Sequence, residues 1–130
     1  MDLSQLETAL RQAWARETSA DPDSWTIENP AWGQCAVTAL VVNDHLGGKL
    51  IWAPAKLPDG REVSHYFNEL PNGVVDLTKV QFPPGTLLPP GIEKKKDKMS
   101  TREYVLSFPA TQTRYLLLKQ RVFAVMPKTD

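Results

Sequence analysis

The N-terminal stretch of the chain repeats its apolar positions at helical spacing. Leucines recur from Leu3 to Leu10 at intervals of three and four residues. This period predicts an amphipathic helix over residues 3–18 with one buried stripe. Ser4 and Glu7 are spaced as a capping box, so they are predicted to begin this helix.

The second pattern is an apolar run that is predicted to form a buried central helix. Residues 35–46 are apolar on nearly all sides and end at Gly47-Gly48. A helix without a polar face is typical of a core element, and the double glycine is a natural stop. His45 lies in the last turn, where a basic side chain interacts favourably with the helix dipole, so we interpret it as a structural residue. Residues 19–34 before this helix are rich in turn signals and are predicted to be a loop.

Three short β-branched and aromatic runs follow and predict an antiparallel sheet. The strands are expected at residues 49–53, 62–70 and 74–78, and the first should stop at Pro54. The fold class is therefore α+β, with the central helix packed on a small antiparallel sheet.

The hairpin between the last two strands decides which side chains face one another. Opposed residues of an antiparallel pair share a face. A four-residue loop over residues 69–72 sets His65 directly against Asp76, whereas tighter turns separate the two. Pro71 lacks the N–H of a ladder position, so we predict the wider loop and a hydrogen bond between Asp76 and His65.

The remainder of the chain mixes a long loop with short elements. Residues 79–98 are predicted to be a loop, and its lysine-rich run 93–98 is interpreted as a solvated patch. Ser100 and Glu103 could cap a short helical turn. A helix is predicted over residues 109–120 because proline suits a first helical position, and a final strand over residues 122–126.

Composition narrows the class of protein. The 130 residues suit a single domain over residues 1–130, and 15 basic residues balance 15 acidic ones. A neutral chain lacks the basic footprint of a nucleic-acid-binding protein, so we expect no nucleic-acid partner. Neither a signal peptide nor a membrane-length apolar run is visible, which predicts a cytoplasmic protein with no membrane partner. We expect no metal and no cofactor, and the oligomeric state stays open.

The single cysteine raises the question of nucleophilic chemistry. Cys35 begins the central helix, where free N–H groups and the helix dipole favour a thiolate. Gly33 before it would let the backbone approach a substrate. His45 lies ten residues further on, about 15 Å away at 1.5 Å per residue, so it cannot act as the base. His65 is the histidine within reach, and Asp76 follows it across the hairpin.

These residues also have structural interpretations that stay open. A free cysteine is commonly a small apolar core residue. Trp25 and Trp32 could pin the 19–34 loop onto the core, or they could wall a pocket beside Cys35. Asp76 could cap a turn before Thr78.

Three short segments carry a resemblance to a known superfamily. Gly33-Gln34-Cys35-Ala36, His65-Tyr66-Phe67-Asn68 and Val75-Asp76-Leu77-Thr78 resemble the transglutaminase-like branch of the papain superfamily. More closely, the chain resembles the YunG-like family of small bacterial proteins over most of residues 14–123. The residues that carry this resemblance are Trp25, Asn29-Pro30, Gly33-Gln34-Cys35-Ala36-Val37-Thr38-Ala39, Gly47-Gly48, His65-Tyr66-Phe67-Asn68, Asp76-Leu77-Thr78, Gln81-Phe82, Thr111, Arg114-Tyr115 and Leu118.

The resemblance implies a papain/transglutaminase-like core and a catalytic triad. In it Cys35 is the nucleophile, His65 the general base and acid, and Asp76 the residue that orients His65. Papain-like enzymes place a glutamine about six residues before the cysteine to bind the oxyanion, where this chain has Asn29, and Gln34 adjoins the cysteine instead. The candidates for binding the oxyanion or the substrate are Gln34, Asn29, Trp32 and Asn68.

Two functions from different classes follow. The first is a cysteine hydrolase or acyltransferase that acts on a peptide or protein amide through a thioester at Cys35. The second is a non-catalytic interaction module, in which a pocket lined by Trp25, Trp32 and Trp52 binds a peptide or small ligand. An accessory structural protein with an inert Cys35 is a third alternative.

Overall fold

The computed structural model describes residues 2–93 and 99–126. In those two ranges the chain forms an α+β fold with four α-helices and one three-stranded antiparallel sheet. The α-helices are Leu3–Ala13 (α1), Cys35–Leu46 (α2), Thr101–Leu106 (α3) and Pro109–Val125 (α4), the strands are Lys49–Lys56 (β1), Glu62–Leu70 (β2) and Gly73–Val75 (β3), and short 3-10 turns span Arg16–Thr18 and Lys79–Gln81.

The main core forms around α2. This helix packs against β2 and α4, and α1 packs against α4. Its bounds and its glycine stop agree with the prediction, and residues 37–42 are buried without interruption. The sheet has the order β1-β2-β3, so β2 is its central strand. No helix in the two described ranges combines the length and the apolar character that crossing a bilayer requires.

The predicted cap of α1 is wrong by two residues. Asp2 is the N-cap: its carboxylate accepts the Gln5 N–H at 2.8 Å, and the Gln5 side chain accepts the Asp2 N–H at 3.1 Å. Ser4 already lies inside the helix, and Glu7 forms an ion pair with Arg11 at 2.8 Å. Aspartate and serine are about equally good N-caps, so the spacing alone does not choose between them.

Helix α1 is also shorter than the predicted residues 3–18, because it ends at Ala13. The reason lies in a distant side chain. The Gln34 amide is completely buried, donates to the Ala15 carbonyl at 2.9 Å and accepts the Thr18 hydroxyl at 2.8 Å. A buried amide needs such partners, and the Ala15 carbonyl and the Thr18 hydroxyl that supply them flank the separate 3-10 turn Arg16–Thr18.

The predicted stop of the first strand at Pro54 is wrong, because β1 continues to Lys56. On the outer edge of the sheet, Trp52 exchanges backbone hydrogen bonds with Ile92, and Lys56 exchanges them with Leu87. Pro54 lies between these two residues and has the same parity along the strand, so its missing N–H would point outward. Proline is tolerated at such edge positions.

The hairpin between β2 and β3 is narrower than predicted. Leu70 pairs with Gly73, so the turn has two residues instead of the four expected over residues 69–72. Pro71 is compatible with the tight turn because its fixed φ suits the first central position.

Strand β3 is shorter than the predicted residues 74–78. It ends at Val75, and the chain then leaves the ladder at Asp76. The register of the hairpin therefore does not decide where the Asp76 side chain points.

The C-terminal prediction is right for α3 and wrong beyond it. Ser100 and Glu103 form the expected capping box, with backbone-to-side-chain distances of 3.1 and 3.0 Å. Helix α4, however, runs to Val125 and includes most of the residues predicted as a strand. Val122 is buried at helical spacing from Leu118, so the apolar stripe of the helix continues to its end.

The lysine-rich run of the long loop was interpreted as a solvated patch. Lys94, Lys95, Lys96, Asp97 and Lys98 lie outside the described residues.

Candidate active site

The His65 side chain lies on the same face of the sheet as the small apolar cluster of Ile51, Ala53 and Phe67. Its ring is completely buried, and Ala53 of β1 is its partner in the ladder. The ring stacks on Phe67 at a centroid distance of 5.7 Å and meets the Phe82 ring edge-to-face at 4.9 Å. These aromatic contacts hold the imidazole in one orientation.

Asp76 reaches the buried imidazole from beyond the end of β3. Its Oδ2 lies 2.7 Å from His65 Nε2, and its side chain is 11% exposed. The predicted hydrogen bond is therefore present, although the predicted loop width is wrong. Because Asp76 is outside the ladder, its carboxylate turns toward His65 independently of the strand register.

Cys35 approaches His65 from the first turn of α2. Its Sγ lies 3.9 Å from the Ser64 carbonyl oxygen, directly before His65 on β2. The second ring nitrogen of His65, Nδ1, is buried and makes no hydrogen bond of regular geometry with any described residue. The thiol nevertheless lies close enough to influence the protonation of the ring. The thiol thus lies near the ring, and Nδ1 has no hydrogen bond of regular geometry.

The surroundings of His65 favour its protonated form. Burial is the largest single influence and opposes protonation, but the hydrogen bond to Asp76 and the interactions with Cys35 outweigh it and raise the pKa of His65 to about 9. The imidazole therefore carries a proton at neutral pH, and it can form an ion pair with a thiolate at Cys35.

A cavity of about 220 Å³ opens beside the thiol. Its walls come from the loop before α2, from α2, β2 and α3, and from the first half of α4. They are formed by Ala20, Gly33, Cys35, Ala36, Val37, Ser64, Tyr66, Val105, Phe108, Thr111 and Arg114. Burial raises the pKa of Tyr66 to about 12, with smaller contributions from Tyr104 and Cys35, so the Tyr66 hydroxyl remains a donor.

Gln34 does not serve as the expected oxyanion donor. Both ends of its amide are bonded to Ala15 and Thr18, and the residue has no exposed surface. Its side chain therefore points into the fold and not into the cavity. The expectation from its position beside Cys35 is wrong because successive residues at a helix start point in different directions.

The two asparagines also have structural partners. Asn29 donates to the Gln81 carbonyl at 3.0 Å and joins two loops. Asn68 is buried and donates to the Ala39 carbonyl of α2 at 3.0 Å, so it ties β2 to the helix. Neither residue lines the cavity beside Cys35.

The tryptophans hold the loop instead of walling a pocket. The Trp25 indole donates to the Pro30 carbonyl at 3.0 Å, and the Trp32 indole donates to Asp21 at 3.0 Å. Neither of them lines the cavity beside Cys35, and Trp52 does not line it either. Both hydrogen bonds lie within the loop of residues 19–34, so they stabilise the loop itself, and its attachment to the core through these tryptophans stays a prediction.

The requirement for glycine at position 33 comes from local packing and not from the expected approach of a substrate. Its φ is +74°, and a Cβ there would lie 2.2 Å from the Ser19 hydroxyl and 3.0 Å from the Ala20 nitrogen. The Gly33 N–H donates to the Gln81 side chain at 3.1 Å. These contacts fix the backbone that delivers Cys35 to the site.

The sequence prediction missed Tyr66, Phe82 and Arg114 as residues of the site. Tyr66 follows His65 directly, and Phe82 follows the short turn after β3, so neither has a period that marks it. Arg114 does carry a signal. It lies three residues after Thr111 and four before Leu118, on the buried stripe of α4, and a cation on such a stripe is unusual.

Among residues 2–93 and 99–126, no group of three or more histidine, cysteine, aspartate or glutamate side chains is arranged to hold a metal ion.

Comparisons with known proteins point to one family. A family model described as "YunG protein" matches residues 2–127. A protein of Bacillus subtilis (strain 168) named "Uncharacterized protein YunG" is 36% identical over 80 residues, which cover 62% of this chain and 63% of that relative. The aligned stretch therefore spans less than two thirds of the relative's length. No solved structure matches the chain.

Proposed function

This chain belongs to the YunG family, and we propose that it is a cysteine-dependent hydrolase or acyltransferase that acts on an amide bond. In this proposal Cys35 is the nucleophile, His65 the general base and acid, and Asp76 the orienting carboxylate. The observation that carries it is the 2.7 Å contact between Asp76 Oδ2 and His65 Nε2, which leaves the buried Nδ1 for the thiol.

The first half of the proposed reaction forms a thioester. Cys35 reacts as the thiolate of an ion pair in which His65 already holds the proton, and this thiolate attacks the carbonyl carbon of the amide. A C–S bond forms, and the carbonyl electron pair moves to the oxygen. The oxyanion then collapses and breaks the C–N bond, and His65 gives the proton to the departing nitrogen.

The second half releases the acyl group. Water or an amine attacks the thioester and gives a proton to His65. The C–S bond breaks, which restores the Cys35 thiolate beside the protonated His65. Water produces a carboxylic acid, whereas an amine produces a new amide. Asp76 keeps Nδ1 directed at sulfur and stabilises the imidazolium in both halves.

Two donors next to the thiol suit the oxyanion. The Cys35 N–H belongs to the first turn of α2, where N–H groups have no partner inside the helix. The Tyr66 hydroxyl stays protonated, because burial raises the pKa of Tyr66 to about 12, and Tyr66 lines the cavity. Both supply hydrogen bonds to a developing negative charge.

A papain/transglutaminase-like core is part of the proposal. Such a core begins a central helix at the nucleophile and carries the histidine and the acid on following antiparallel strands. The order Cys35, His65 and Asp76 on α2, on β2 and just beyond β3 supports it.

A non-catalytic interaction module is the second candidate function. It is favoured by one observation: the amide of Gln34, the residue next to the nucleophile, is engaged in the fold. In that case the cavity beside Cys35 binds a ligand without turnover.

Labelling of Cys35 tests the first proposal. We expect iodoacetamide at pH 7 to modify Cys35 about ten times faster in the native protein than in His65→Gln, because the imidazolium stabilises the thiolate. Mass spectrometry measures the rates. His45→Gln is the matched control, since His45 is exposed at the far end of the same helix. Equal rates in the native protein and His65→Gln contradict an activated pair.

Acylation separates the enzyme from the interaction module. With p-nitrophenyl acetate as an activated acyl donor, the enzyme accumulates an acetyl thioester on Cys35 and releases more than one equivalent of p-nitrophenol. An interaction module shows at most a slow single modification, and His65→Gln does not alter it.

A further inference from the structure

Arg114 is the cationic side chain in the wall of the cavity beside Cys35. It extends from α4, while Cys35 begins α2 and Tyr66 lies on β2. The described residues that line this cavity include no aspartate or glutamate. Most of the wall is apolar, so the charge of Arg114 is the main polar feature opposite the thiol.

The guanidinium of Arg114 is poorly satisfied. Its Nε is buried and has no hydrogen-bond partner among the described residues. Its one hydrogen bond in that part of the chain runs from Nη2 to the Thr111 hydroxyl at 3.3 Å, which is long for a charged donor. Burial lowers the pKa of Arg114, and the nearby Cys35 acts in the opposite direction.

Arg102 is an example of an arginine with a structural role in this fold. It donates to Asp44 at 2.8 Å and to Asn43 at 2.9 Å. Arg114 makes no ion pair with any residue of the described ranges. Buried charges are ordinarily paired, because removing an unpaired charge from water is unfavourable. A group kept in this condition at a cavity wall suits an anion that arrives with a ligand.

We propose that Arg114 binds a carboxylate of the substrate beside Cys35. The part of this inference that concerns the reaction rests on the proposed function. It narrows the substrate class to acyl compounds that carry a carboxylate close to the scissile carbonyl. The five donors of a guanidinium form a planar fork that matches a carboxylate. Lys119, the lysine on the same helix, offers no such fork.

The size of the cavity limits what enters it. Its volume of about 220 Å³ is below the roughly 300–1,000 Å³ typical of pockets that enclose a whole small ligand. It therefore accepts one end of a substrate, such as an amino-acid carboxylate, while the remainder stays outside.

A pair of alkylating agents tests the charge directly. Iodoacetate and iodoacetamide react with the same thiolate and differ in one carboxylate, so the ratio of their rates cancels any change in thiolate population. We expect Arg114→Gln to lower the iodoacetate-to-iodoacetamide ratio at Cys35 about tenfold, as the loss of one nearby unit charge implies. Arg114→Lys should retain most of the ratio.

Lys119→Gln is the charge-matched control. It removes one positive charge from the same helix, and its side chain is half exposed and lies near Asp44 instead of the cavity. Its ratio should equal that of the native protein. A ratio that is unchanged in Arg114→Gln, or lowered equally in Lys119→Gln, overturns the inference.

A second measurement needs no variant and so does not depend on the folding of Arg114→Gln. N-acetylglycine should slow iodoacetamide labelling of the native protein at millimolar concentration, whereas N-acetylglycinamide, which lacks the charge, should not. Equal effects of the two compounds overturn the carboxylate site. Slow labelling by iodoacetamide alone contradicts the proposed enzyme instead, so the two failures are distinguishable.

Discussion

The loop that leads to Cys35 and the site around the cavity beside it differ in how fully their buried polar groups are hydrogen-bonded. In the loop, the buried Gln34 amide is bonded at both ends. Around the site, Arg114 Nε in the cavity wall and Nδ1 of His65, which does not itself line the cavity, are buried without a partner among the described residues. An unsatisfied buried polar group costs about 1–3 kcal/mol. The comparison therefore separates polar residues that hold the fold from those that are free to act on a ligand.

The largest expected effect is on the loop side. Gln34→Ala should lower the free energy of unfolding by about 4 kcal/mol, because it removes two buried hydrogen bonds and opens a cavity. Chemical denaturation measures the change. The exposed Gln120→Ala should cost less than about 0.5 kcal/mol.

Arg114→Gln is the matching substitution in the cavity wall, and its effect on the free energy of unfolding is compared with that of Gln34→Ala. It should cost less than about 1 kcal/mol, since the removed charge has no ion-pair partner in the described ranges. If Arg114→Gln destabilises the protein as much as Gln34→Ala, Arg114 is a structural residue and the contrast between the two regions disappears.

The next largest effect on the free energy of unfolding measures how closely the loop packs around Gly33. Gly33 and Gly47 share a φ of +74°, but a Cβ at Gly33 meets the Ser19 hydroxyl at 2.2 Å, and at Gly47 it meets nothing within 4 Å. Gly47→Ala should cost about 1 kcal/mol from backbone strain alone, and Gly33→Ala about 3 kcal/mol because contacts are added to the strain. Thermal or chemical unfolding of the pair gives the difference. Equal costs would show that the loop has room to move.

The smallest effect concerns the proton on His65. The Asp76 hydrogen bond and the Cys35 interactions raise the pKa of His65 to about 9 against the effect of burial, so the ring should remain protonated at pH 8. In Asp76→Asn the titration midpoint should fall by at least about one unit, because an opposite charge is lost. NMR titration of the ring measures this. The exposed Asp59→Asn serves as the control, and a midpoint that is the same in all three proteins argues against the orienting role of Asp76.

Prediction from sequence succeeded where local patterns decide the outcome. The continuous apolar run and Gly47 were sufficient for the bounds of α2, and Ser100 with Glu103 for the start of α3. The strand predicted over residues 122–126 failed because β-branched residues also suit a helix whose buried stripe continues, as Val122 shows.

The site was only partly predictable for the same reason. Cys35, His65 and Asp76 were chosen from residue type and chain order, and the structure joins His65 to Asp76. Gln34 was assigned to the cavity from its position next to Cys35, yet its side chain turns into the fold. Adjacency in sequence does not specify the direction of a side chain.

The sequence by itself determined the helical start at Cys35, the buried character of α2 and the identity of the few groups able to do nucleophilic chemistry. Periodicity and caps act over a few residues, so they can be read locally. The tertiary structure alone decided that Asp76 reaches His65 from beyond a shortened strand, and that Arg114 reaches the Cys35 cavity from another helix. Both depend on contacts between residues distant along the chain, which only the packing of α2, β2 and α4 brings together.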